Sequence, residues 1–217
     1  IGRSGDFNTY VWTVIPWRDN FGNQIRTIVV EEGITYLGSY FFYKVTKVTK
    51  IILPQSLKSY GTGTFQQCES LQTITIPPTV TYLNFNLLYK CYSLTSFNID
   101  DKITEIKDSC FYYCKGLRSI IIPDTVKKIG TSAFQGCESL TRFILPEGCS
   151  FSDSLLQSCI KLTYVKFPSS IIRIPANTLN SCTSLPFIEM PENATSIGSG
   201  AFQSCTSLQP PTIPSKV

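Results

Sequence analysis

The chain has 217 residues, 42% of them apolar, a net charge of +4 and no histidine. Without histidine there is no Ser-His-Asp or Cys-His nucleophile and no imidazole base. The mild, scattered positive charge lacks the concentrated basic stripe of a nucleic-acid binder, and no stretch approaches the roughly 20 apolar residues that span a bilayer.

Residues 1–21 show no periodicity and hold both tryptophans, Trp12 and Trp17. Thr9 to Ile15 is rich in β-branched and aromatic residues, which predicts a strand. We read 1–21 as an N-terminal cap covering the apolar end of a repeat array that begins at Gly22.

From Gly22 onward a fixed spacing governs the chain. Cys68, Cys91, Cys114, Cys137, Cys159, Cys182 and Cys205 recur every 23 or 22 residues, and Val45 and Gly22 extend the grid backwards. Three residues before each grid point stands Phe42, Phe65, Leu88, Phe111, Phe134, Leu156, Leu179 or Phe202; three after it comes an apolar residue such as Leu71, Leu117 or Leu140. Pairs two apart come next, such as Ile74/Ile76, Ile120/Ile122 and Phe143/Leu145, and a proline closes most units. Self-similarity at this period predicts a solenoid rather than a globule with a central core. The array covers 22–217 in about nine units of 22–23 residues, the last truncated, and is expected to continue beyond Val217.

Within a unit, two apolar residues two apart face one side of a strand. Nine parallel strands are expected, near 25–30, 48–53, 71–76, 94–99, 117–122, 140–145, 162–167, 185–190 and 208–213. The G-x-x-A-F-x-x-C segment is too short for a full helix and predicts a single helical turn. The unit between Pro146 and Cys159 is one residue short and carries Ser154-Leu155-Leu156 in place of the small-then-Phe signature, so a local change in its loop is expected.

The recurring A-F-x-x-C-x-x-L-x-x-I-x-I-P, with V-x-x-I after it, resembles the BspA-like leucine-rich repeat family over nearly the whole chain. The resemblance implies an α/β repeat solenoid. This would be a right-handed leucine-rich repeat arc with a parallel β-sheet on its concave face and short helical turns or loops on its convex face. It also implies a place at the cell surface or in secretion, and adhesion to host matrix proteins or other cells. An intracellular scaffold for protein–protein interaction is the alternative reading.

The nine cysteines invite a disulfide or metal reading. Seven share one repeat position, Cys110 takes a small-residue position and Cys149 an apolar one, so all nine read as small buried hydrophobes. No CxxC pair occurs, and neither metal nor other cofactor is implied. Asp101, Asp124 and Glu147 come just after three successive strands; they read as a solvated acidic rim rather than a Ca²⁺ site. No catalytic pair or phosphate-binding glycine motif is present, and an enzyme is not expected.

What remains is surface. The residue before and the residue between the two inward apolar positions face outward. One such row runs Thr27, Lys50, Thr73, Ser96, Ser119, Arg142, Tyr164, Phe187 and Pro210, and the other Val29, Ile52, Thr75, Asn98, Ile121, Ile144, Lys166, Glu189 and Thr212. Aromatic, arginine and aliphatic groups together fit a protein interface, centred on Arg142, Ile144, Tyr164, Lys166 and Phe187 with Arg118, Ile121 and Glu189 at its margin. Asn193-Ala194-Thr195 is an N-glycosylation sequon.

Overall fold

The computed structural model describes residues 24–217. The expected cap of residues 1–21, with its strand near 9–15, lies outside them. In chain order the strands are β1 (Thr27–Val29), β2 (Tyr36–Leu37), β3 (Lys50–Ile52), β4 (Ser59–Tyr60), β5 (Thr73–Ile74), β6 (Tyr82–Leu83), β7 (Glu105–Ile106), β8 (Lys128–Ile129), β9 (Arg142–Ile144), β10 (Ser150–Phe151), β11 (Tyr164–Lys166), β12 (Arg173–Ile174) and β13 (Ser196–Ile197). Every pairing is parallel and joins one coil to the next.

Five of these strands fall where the repeat predicts. β1, β3 and β5 pair in sequence, with Thr27 opposite Lys50 and Lys50 opposite Thr73. β9 pairs with β11, so that Arg142 lies opposite Tyr164 and Ile144 opposite Lys166. Between them the same column is reduced to one bridge, Ser96 to Ser119. No strand forms at 185–190 or 208–213. The cause is local: along this column each coil donates an amide to its predecessor, as Thr49 does to Arg26 and Gln72 to Thr49. Pro186 has no amide to give at that position; in the last coil Gln209 still donates to Pro186, but Pro210 lacks the next amide, which Lys50 gives to Arg26.

The structure adds a second parallel ladder that the repeat pattern does not predict. β2 pairs with β4; β6, β7, β8 and β10 form a continuous row; β12 pairs with β13. Each of these strands is two residues long and turns one side chain inward, such as Leu37, Leu83, Ile106 or Ile129. The row stops between β10 and β12. Elsewhere the residue after the strand donates to the preceding coil, as Gly130 does to Ile106 and Ser152 to Ile129. Here that residue is Pro175.

The segment before each cysteine corrects the helical expectation: among the described residues there is no helix. Two residues per coil take positive φ instead, five and one before the grid point, for example Ser109 (55°) and Tyr113 (54°). A left-handed residue every four positions cannot continue an α-helix. Consecutive tight turns result, and alternate amides are left pointing along the stack. Ser109, Phe111 and Tyr113 donate to Thr131, Ala133 and Gln135 of the next coil at 2.9, 2.8 and 2.7 Å. The backbone is thus satisfied between coils on this side too.

Inside the ladders the core is continuous from Ile28 to Ala201. Phe111 and Phe134 stack at 5.0 Å with planes 7° apart, and the edge of Phe143 meets Phe134 at 4.9 Å. The seven grid cysteines form one column. Each thiol donates to a carbonyl of the preceding coil, of Phe42, Phe65, Leu88, Phe111, Phe134, Leu156 or Leu179, at 3.1–3.4 Å. Cysteine suits this position because it is small, apolar and still a weak donor. Close stacking also fixes Gly130, where an added Cβ would lie 2.6 Å from the Asp108 amide nitrogen. Gly130→Ala should therefore cost about 1–3 kcal/mol of stability, read as a lower urea midpoint. An unchanged midpoint would mean the coils can separate locally without penalty.

Candidate functional site

The outward face of the first ladder holds the expected interface residues. Side chains alternate along each strand, so Arg142 and Ile144 project outward while Phe143 enters the core. The neighbouring strand places Tyr164 beside Arg142 and Lys166 beside Ile144. The Arg142 guanidinium sits 4.1 Å from the centre of the Tyr164 ring, a cation–π contact. Ile121 is 83% exposed, Phe187 56% and Ile144 38%, large values for apolar groups. A hollow of about 290 Å³ lies beside Arg142, lined by Ser119, Ile120, Ile121, Ile122, Asp124, Arg142, Ile144 and Pro146.

Arg118 is exposed just before Ser119, and the Thr141 amide donating to its carbonyl sets it one coil from Arg142. Glu189 is exposed and lines two hollows, one with Phe187 and the other with Lys166. Arg142 and Tyr164 are in contact; Arg118 and Glu189 lie at either end. Val29 and Ile52, 51% and 42% exposed and opposite each other, extend the apolar area at the other end of the ladder. They stand in the rows read from sequence, but their distance along the chain from the larger side chains leaves them outside the expected site.

The other candidates resolve into local structure. Lys102 approaches Asp101 at 3.8 Å, the Asp124 carbonyl accepts from Lys127, and the Glu147 carboxylate accepts the Ser169 amide and hydroxyl. Among the described residues no three potential metal ligands converge. Asn193 is exposed, with its side-chain amide donating to the Ser169 carbonyl at 3.1 Å. The thiols are far from nucleophilic. Burial raises all nine, Cys68 to about 12 and Cys149 to about 11. Among the described residues no helix is long and apolar enough to cross a membrane.

The BspA type leucine rich repeat region matches the chain over residues 19–118 and 104–217. No curated protein matches it. Three solved structures share the architecture. A leucine-rich repeat protein from Bacteroides ovatus is 22% identical, with a TM-score of 0.63 over 86% of this chain and 60% of its own. This chain thus spans less than two thirds of that protein. The T. pallidum leucine rich repeat protein is 20% identical, with a TM-score of 0.58 over 85% of this chain and 78% of its own. A leucine rich cell surface protein from Faecalibacterium prausnitzii is 21% identical, with a TM-score of 0.51 over 87% and 73%. At these identities the likeness is one of fold.

Proposed function

Because this chain belongs to the BspA-type leucine-rich repeat family, we propose that it is a non-catalytic protein-binding module of a surface or secreted adhesin. Its ligand would be a matrix protein or another protein on a host or neighbouring cell. Binding would centre on Arg142, Ile144, Tyr164, Lys166 and Phe187, with Arg118, Ile121 and Glu189 at the margin, on the face expected to be concave. The observation that carries this reading is the Arg142–Tyr164 contact at 4.1 Å amid exposed apolar side chains. Large aromatic and arginine groups anchor protein interfaces, and small polar residues fill much of the rest of this ladder. The surface placement is supported by the F. prausnitzii neighbour, described as a cell surface protein. A glycan on Asn193 belongs to the same reading.

Tyr164→Ala with Phe187→Ala should leave the fold intact, because neither side chain is fully buried. Loss of one anchor costs about 2 kcal/mol or more, roughly thirtyfold in affinity. The measurement is adhesion to matrix-coated surfaces by wild type and the double variant. Equal adhesion by a folded double variant moves the site off this face. The intracellular-scaffold reading is favoured by the nine free thiols, which suit a reducing compartment. Protease shaving of intact cells of the source separates the two, since a scaffold would be spared.

A further inference from the structure

Among the described residues some cations are neutralised by carboxylates, while others, Lys50, Lys58, Lys161 and Arg173 as well as three of this face, are not. Lys115 pairs with Glu138 at 2.9 Å, and Lys128 and Lys107 flank Glu105 at 3.2 and 3.7 Å. Among the described residues Arg118, Arg142 and Lys166 have no ion pair. They come from three successive coils and advance across the ladder. Arg118 precedes Ser119, Arg142 stands in the next coil's outward row, and Lys166, opposite Ile144, lies two residues further along its strand. With coils about 4.8 Å apart and residues about 3.3 Å apart along a strand, successive cations stand roughly 6–8 Å apart. That is close to the ~6.8 Å between alternate side chains of an extended peptide.

We propose that this face receives an extended acidic polypeptide segment, with carboxylates at alternate positions on Arg118, Arg142 and Lys166. The proposal rests on the binding reading above and names its partner class. Contact with the Tyr164 ring holds the Arg142 guanidinium at 4.1 Å, and its N–H groups can pair with a bidentate carboxylate. Lying edge-on, so that its alternate side chains leave to either side, the segment sends an intervening apolar side chain into the adjacent 290 Å³ hollow. Asp124 on its wall repels a carboxylate there, which sets the register of acidic and apolar groups. A sulfated glycan would satisfy the cations but leave Ile121 and Ile144 uncovered, so a polypeptide fits better.

The test immobilises three peptides, acetyl-Ala-Glu-Leu-Glu-Leu-Glu-Ala-amide and its Gln-for-Glu and Lys-for-Glu analogues, and passes the full chain over them. The Glu peptide should bind best, weakening several-fold from 50 to 300 mM salt, with Arg142→Gln losing roughly tenfold. Arg118→Gln with Lys166→Gln should lose at least as much. Equal binding of Glu and Gln peptides, lost in the Tyr164/Phe187 double variant, overturns the acidic partner and keeps the binding face. Binding indifferent to both sets of variants overturns both. No peptide binding, or heparin binding that the Arg142 variant alone abolishes while the peptides stay unbound, overturns the polypeptide proposal.

Discussion

Phe134→Ala should be among the most damaging single substitutions in the chain, costing about 3–5 kcal/mol. The ring is fully buried, stacked on Phe111 of one coil and met edge-on by Phe143. Removing it takes away apolar burial and leaves a cavity that its neighbours cannot close, because ladders on three sides fix the coil spacing. In a solenoid this damage falls on two interfaces at once, since each coil is stabilised mainly by the coil before and the coil after. Urea unfolding monitored by far-ultraviolet dichroism reads the loss as a lower midpoint, and a split transition would show the array dividing at that coil. Phe187→Ala is the control: its ring is 56% exposed, so its cost should stay within about 0.5 kcal/mol. A Phe134→Ala cost below about 1 kcal/mol would mean that the stack relaxes around the lost ring.

How much of this architecture is legible in the sequence depends on which link carries the signal. The first ladder is legible because two inward side chains per strand, such as Ile74 and Ile76, write a period of two into every unit. The second ladder is not. Its strands turn one side chain inward each, and one residue cannot display a period. What it does leave is the column Leu83, Ile106, Ile129, which marks a buried position without stating that backbone pairing accompanies it. The turn segment misleads for a related reason: a short i to i−3 pattern fits both a helical turn and tight turns closed by a left-handed residue. Asn86, Ser109, Ser132, Ser154 and Asn177 hold the first of those left-handed positions. Asparagine tolerates that region, and polar side chains there are the available clue. From sequence the closing prolines, such as Pro77, Pro123 and Pro146, read as unit endings, whereas Pro186, Pro210 and Pro175 stand elsewhere and mark where a ladder loses a donor. For the site, the sequence supplies the outward rows, and the fold adds the contact of Arg142 with Tyr164. It also separates unpaired cations from those neutralised elsewhere, a distinction that the repeat pattern does not display.

The thiol column carries the last expected result. In the native protein at pH 8, alkylation of eight of the nine cysteines should run at least about a thousandfold slower than in urea, with Cys205 reacting first. Those eight are buried, whereas Cys205 is only half-buried. Burial both blocks the reagent and disfavours the thiolate, the reactive species. Each protected thiol reacts only when its coil opens, so its rate reports local stability along the array. Alkylation in urea without reductant should label all nine, because the grid thiols are aimed at backbone carbonyls rather than at one another. Fewer labelled cysteines would mean that neighbouring coils have been cross-linked. The same burial makes stability depend on alkaline pH. Folding holds these thiols protonated above their ordinary pKa, Cys68 to about 12. Their stabilisation is complete below about pH 8.5, the unfolded value. Above it the unfolded chain releases protons that the folded chain retains, and stability falls by up to about 1.4 kcal/mol per pH unit for each protected thiol. Several such thiols acting together should unfold the array between about pH 9 and 11, and a urea midpoint unchanged across that range would place the column in contact with water.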